Sequence, residues 1–113
     1  LHELSIASNL IEIVKHAIEG QEVSRVTSLR LVIGAMSSVL PDSLAFAFEV
    51  VSKGTVAENA RLDFDKKPLV GRCLDCGGEF PIRDYLFRCR ECGSPKVELV
   101  TGKEFFLESI ECE

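Results

Sequence analysis

The chain has 113 residues, enough for one compact core, or for one small core with a stapled appendage, and too few for two full cores. Apolar residues make up 46% and charged residues 27%, with no Pro/Gly-rich or Ser-rich tract, which excludes a disordered chain. The net charge of −5, with acids spread along the sequence, disfavours nucleic acid as a partner, because there is no basic excess to neutralise phosphates.

No apolar run approaches the roughly 20 residues needed to cross a bilayer. The first residues carry acidic and polar groups where a signal peptide would carry basic and then continuous apolar ones, so no membrane partner is expected and the cytoplasm is the expected location. Four of the five cysteines fall into two CxxC pairs, a pattern that fits reduced, metal-bound thiolates better than a disulfide framework.

From Glu3 onward, Leu4, Ala7, Leu10, Ile11, Val14, Ala17 and Ile18 share one side of a 3.6-residue spiral, with Ser5, Glu12, Lys15, His16 and Glu19 opposite. This predicts an amphipathic helix closed by Gly20. Val23 to Ile33 is rich in aliphatic and β-branched residues, with Leu29, Leu31 and Ile33 alternating, and predicts a strand ended by Gly34. Pro41 and Asp42 mark the first turn of a second helix, whose Leu44, Ala47, Phe48 and Val51 keep helical spacing up to Gly54. Ala60, Leu62 and Phe64 alternate with Arg61, Asp63 and Asp65 in a strand with one buried face, ended by Pro68 and Gly71.

Between Gly71 and about Pro95 large apolar residues are few and Gly, Cys and charged residues many, so that segment is not expected to form its own hydrophobic core. Beyond Gly102, Phe105, Leu107 and Ser109 alternate with Phe106, Glu108 and Ile110, giving a last strand expected to return to the first sheet. The resulting fold class is α+β: two helices on a small, mostly antiparallel three-stranded sheet, with a zinc ribbon inserted before the last strand. The expected division is residues 1–70 with 97–113 as the α+β domain and 71–96 as the ribbon.

Cys73-Leu74-Asp75-Cys76-Gly77 and Cys89-Arg90-Glu91-Cys92-Gly93 are separated by a stretch long enough for a short hairpin. A CxxC turn aims two sulfurs at one point, two such turns complete a tetrahedron, and Gly77 and Gly93 supply the positive φ of each knuckle. Zn(II) is the leading metal, with iron of the rubredoxin kind the rival, since thiolates suit both. Four thiolates leave no open position, so the site reads as structural.

The chain opens Leu1-His2-Glu3. An α-amino group on Leu1, the His2 main-chain nitrogen if it deprotonates and His2 Nδ1 can together chelate an ion that favours planar nitrogen ligands, Ni(II) or Cu(II). On the residues alone, His2 reads equally as a solvated residue before a helix, and Glu3 as a first-turn acid complementing the helix dipole.

The whole chain resembles the HypA/HybF family of hydrogenase-maturation nickel chaperones. The resemblance rests on the His2-Glu3 start with Leu4-Ser5, the run from Gly34 through Ser37-Ser38-Val39 to Pro41, then Leu44 and Phe46 with Phe48-Glu49. It continues through the paired knuckles to the closing Gly102-Lys103-Glu104 strand ending Ile110-Glu111. It implies a structural zinc in the cysteine module and nickel cargo held at the amino terminus through His2, with the Leu1 amine and a supporting role for Glu3. It also implies a GTPase partner, HypB, a [NiFe]-hydrogenase large-subunit precursor as recipient and, in some cases, urease maturation factors; self-pairing as a homodimer stays open. The family begins with Met where this chain has Leu1, whose side chain amine coordination does not need.

His16, on the polar face, reads as solvated, and Cys112, with no histidine near it in sequence, as a plain strand residue. No phosphate loop, carboxylate pair or nucleophile–base set points to an enzyme. The alternative from another class is a nucleic-acid-binding or transcription-accessory zinc ribbon, suggested by Arg72, Arg83, Arg88 and Arg90 and blunted by Asp75, Glu79, Asp84 and Glu91.

Overall fold

The computed structural model describes residues 2–113, and the chain divides into two compact units. The first holds the residues up to Val32 together with Ser38–Asp65 and Phe106–Glu113; the second holds Ile33–Ser37 and Lys66–Phe105.

In the first unit α1 (His2–Ala17) buries Ala7, Leu10, Ile11 and Val14, the 3-and-4 spacing of a single helix face. The apolar stripe expected from Leu4 to Ile18 is buried only in its middle, because Leu4 borders an open groove with Phe46 and Val50, and Ala17 faces solvent. α2 (Pro41–Val51) begins with a proline where a missing N–H costs nothing, packs beside α1, and buries Leu44, Ala47 and Phe48.

The sheet has the order β2-β1-β6, with β1 (Val26–Gly34) central, β2 (Arg61–Lys67) on one side and β6 (Phe105–Cys112) on the other. β6 runs antiparallel to β1: Glu113 N–H donates to the Arg25 carbonyl at 2.9 Å, and the Thr27 hydroxyl donates to that of Glu111 at 3.1 Å. Arg30 pairs with Glu108 across the same two strands. The central position makes β1 buried on both faces, Ser28 and Val32 included, so it does not alternate as its sequence suggests; only Arg30 is exposed. Edge strand β2 is half-buried along most of its length instead of presenting one buried face. Leu29, Leu31, Leu44, Phe48, Val14, Val26 and Val32 are the largest fully buried apolar side chains here, each worth about 1.5–3 kcal/mol of burial.

The second unit contains a sheet of its own, order β4-β3-β5, formed by β3 (Val70–Cys73), β4 (Glu79–Pro81) and β5 (Val97–Thr101). β3 pairs antiparallel with both neighbours, Gly71 opposite Phe80 and Leu99, and Cys73 opposite Val97. The unit is therefore wider than the 71–96 insert, because residues 97–101 belong to the cysteine module by strand pairing. It also has the small core that the segment's composition argued against: Leu69, Phe80, Ile82, Cys73 and Cys89, with Val97 and Leu99 packed on them. Gly71 makes that packing fit, since a Cβ there would meet Val97 Cγ1 at 2.7 Å.

The Ile33–Ser37 segment joins this unit through main-chain bonds. Gly34 N–H donates to the Glu104 carbonyl at 2.7 Å, Met36 N–H to that of Gly102 at 2.6 Å, and Ala35 N–H to that of Lys67 at 3.0 Å. Gly34 lies so close to the Gly102 backbone that a Cβ would overlap its carbonyl group. Gly34→Ala is expected to destabilise the chain by about 1–3 kcal/mol, the cost of forcing atoms into a filled space, read as a lowered denaturation midpoint.

Candidate metal centres

The ligand atoms of Cys73, Cys76, Cys89 and Cys92 all lie within 4.8 Å of one another. Cys73 Sγ stands 3.5 Å from Cys92 Sγ, and Cys76 Sγ 3.6 Å from Cys89 Sγ. A tetrahedron with metal–sulfur bonds of about 2.3 Å has edges of about 3.8 Å, so these sulfurs already stand near the spacing one metal ion requires.

Two copies of one local geometry produce the cluster. Gly77 N–H donates to the Cys73 carbonyl at 2.9 Å and Gly93 N–H to the Cys89 carbonyl at 3.1 Å, while each glycine takes a positive φ, 78° and 74°. Cys76 N–H points at Cys73 Sγ at 3.4 Å, and Cys92 N–H at Cys89 Sγ at 3.5 Å. The first cysteine of each pair is buried and the second exposed. Arg72 clamps the sheet beneath the first knuckle, bonding Glu79 on β4 at 2.8 Å and Glu98 on β5 at 3.2 Å.

These contacts split the thiols electrostatically. The Cys92 and Glu91 N–H groups bring the Cys89 thiol down to about 6, and the Cys76 and Asp75 N–H groups lower Cys73. Cys92 is pushed up to about 12: a bond from the Ser94 N–H lowers it but is outweighed by the Cys73 sulfur, burial and the other two cysteines. Cys76 rises too, since Cys89, Cys73 and burial override the Gly78 N–H. The buried member of each pair is thus the ready thiolate, and the exposed member gives up its proton when a cation arrives to offset the repulsion between sulfurs.

At the other end of the chain His2 is the first residue of α1 and is exposed, and Leu1 lies outside the described residues. Glu3 is half-buried, and its Oε2 accepts a hydrogen bond from the Leu40 N–H at 3.2 Å. That bond, followed by one from its own main chain and by the nearby His2, holds the Glu3 carboxyl below the usual glutamate range. Leu40 is the residue that caps α2, and its side chain has no oxygen to offer that helix. Glu3 therefore supplies, from α1, an acceptor at the start of α2, where a negative charge is favoured. The sequence marks this only indirectly, by an apolar residue at a capping position.

His16 approaches Glu19 at 3.7 Å and is solvated, in line with its polar-face position; Cys112 is exposed on β6, apart from the four-cysteine cluster. No helix among the described residues is long and apolar enough to cross a membrane.

Residues 1–112 match the family model described as HypA, hydrogenase/urease nickel incorporation, metallochaperone. A hydrogenase maturation factor HypA from Geobacter sulfurreducens is 39% identical over 113 residues, covering 100% of both chains. One from Roseiflexus is 41% identical over 114 residues, covering 100% of this chain and 93% of that one. The solution structure of the Ni metallochaperone HypA from Helicobacter pylori superposes with a TM-score of 0.66 at 26% identity, covering 97% of this chain and 96% of that one. A second HypA solution structure gives 0.75 at 27% identity, covering 99% and 96%.

Two outcomes test the geometry. Because Cys76 and Cys92 must give up protons to bind, metal affinity, read by competition with a chromogenic chelator, should already fall as pH drops through the neutral range, and fall more steeply below about 6, where the Cys89 thiolate is lost as well. Glu3→Ala should remove the Leu40 acceptor and accelerate exchange of the Leu40 amide without disturbing the amides of the cysteine knuckles; equal exchange in both proteins would contradict the capping role.

Proposed function

The chain belongs to the HypA family of metallochaperones for nickel incorporation, and from that premise we propose that it binds Ni(II) at its amino terminus and delivers it during [NiFe]-hydrogenase maturation. As a metallochaperone it is not an enzyme; what it changes is the location of an ion.

The observation that carries the reading is the closed character of the sulfur cluster. Four thiolates at tetrahedral spacing fill the coordination sphere of a Zn(II) ion and leave it no position to exchange cargo, so the zinc bound by Cys73, Cys76, Cys89 and Cys92 is structural. Cargo then needs a second, chemically different site. With a free α-amine on Leu1, that amine, the His2 main-chain nitrogen and His2 Nδ1 would form a nitrogen set that suits Ni(II), and His2 stands exposed at the first position of α1.

Glu3 supports this site in two ways. Its tie to Leu40 fixes the first turn of α1 against the start of α2, and a carboxylate retains lone pairs for the ion. A site at a chain end with few protein ligands also releases readily, because a recipient can replace those ligands one at a time without unfolding the donor. Transfer proceeds by such exchange, with the GTPase HypB and the hydrogenase large-subunit precursor as partners by family resemblance, and urease maturation factors in some cases.

An imidazole and an α-amine must both lose protons to bind a metal ion. Nickel affinity is expected to fall from about pH 7.5 to 6, measured by calorimetry on a chain whose amino terminus is free; a flat profile would eliminate the chelate. His2→Ala should abolish nickel retention while leaving zinc content unchanged, and retention equal to that of the parent chain would overturn the proposal.

A further inference from the structure

The tip of the second unit, residues 83–88, presents Tyr85, Leu86 and Phe87 to solvent at 67%, 65% and 37% exposure, three large apolar side chains in succession. Its backbone is held by tight turns, with Leu86 N–H donating to the Arg83 carbonyl and Arg88 N–H to that of Leu86, both at 3.0 Å. Asp84 and Tyr85 take φ values of 54° and 56°, two consecutive side-chain-bearing residues in the left-handed region. Neither is a glycine, so the turn is strained, and every residue from Arg83 to Arg88 is exposed.

The charge pattern points the same way. Of the chain's seven arginines, Arg25, Arg30, Arg61 and Arg72 each form an ion pair. Among the described residues, Arg83, Arg88 and Arg90 have no side-chain hydrogen bond or ion pair partner. The unpaired guanidiniums are thus concentrated at and just beyond the exposed tip, in a chain of net charge −5 that has acids in excess to pair them. Planar guanidiniums around aromatic and aliphatic side chains are the composition of an interface centre.

We propose that the 83–90 tip is a docking element for a protein partner whose surface offers an apolar socket rimmed by carboxylates. Tyr85, Leu86 and Phe87 enter the socket, and Arg83, Arg88 and Arg90 meet the rim. A nucleic acid fits less well, since Asp84 and Glu91 interrupt the positive charge and Leu86 has no ring to stack on a base. The inference does not depend on the nickel reading.

The test uses the full zinc-loaded chain, isotopically labelled, titrated at physiological salt with three probes. These are a peptide in which Leu and Phe alternate with Glu, the same peptide with Lys in place of Glu, and a single-stranded oligonucleotide. The acidic peptide should shift the amides of residues 83–90 saturably, with affinity weakened roughly tenfold by Arg83→Gln with Arg88→Gln, and similarly by Leu86→Asp. Zinc content and nickel retention at the amino terminus should stay unchanged in both variants, which separates this result from failure of the nickel proposal. Absence of saturable shifts, equal binding of the basic peptide, or equal affinity in the variants would overturn the proposal. Tighter oligonucleotide binding would reassign the tip to nucleic acid, and the same shifts on concentrating the protein alone would reassign it to self-association.

Discussion

Four sulfurs drawn to one point are what the second unit is built around. Cys73 ends β3 and is fully buried, Cys89 belongs to the same small core, and the knuckle bonds from Gly77 and Gly93 set where each pair aims. Leu69, Phe80, Ile82, Val97 and Leu99 could not hold some forty residues against their conformational entropy, since ordering each residue costs about 1–2 kcal/mol for the backbone alone. A structural zinc site contributes about 10–16 kcal/mol in small metal-folded units, a stabilisation beyond what so few apolar side chains supply. The tetrahedral closure that would stabilise the module would also shut its metal away from exchange, which is why the proposed cargo site draws on different ligands.

The amino-terminal end shows the opposite design. His2 has little around it, and what order exists comes from Glu3 reaching the capping residue of α2. An apolar N-cap is ordinarily a weak helix start. Here it makes α2 depend on an acid of α1, so the residue next to the proposed nickel ligand also determines how the two helices meet.

Much of this was legible in the residue order. The two helices, the central strand, the closing strand and the four-cysteine cluster follow from periodicity, from Pro41 and Gly20, and from the CxxC spacing, all of which act locally. What was not legible depends on pairing across long separations. β3 and β5 are too short to carry a readable pattern, and their partnership through Gly71 opposite Leu99 and Cys73 opposite Val97 places residues 97–101 in the cysteine module. The Arg72 clamp to Glu79 and Glu98 likewise exists only once three strands stand side by side. The Glu3–Leu40 bond spans 37 residues, and nothing in the sequence near either end names the other. The family resemblance, by contrast, needed no geometry, since its residues run from His2 to Glu111.

In the proposed arrangement two metals are kept apart by ligand chemistry: zinc in sulfur, nickel in nitrogen and oxygen. X-ray absorption on the chain with a free amino terminus, loaded with both ions, measures this directly. It should give a zinc edge with four sulfur neighbours and a nickel edge with only light-atom neighbours and the scattering pattern of one imidazole. Sulfur scattering at the nickel edge would place the cargo in the cysteine cage and contradict the separation.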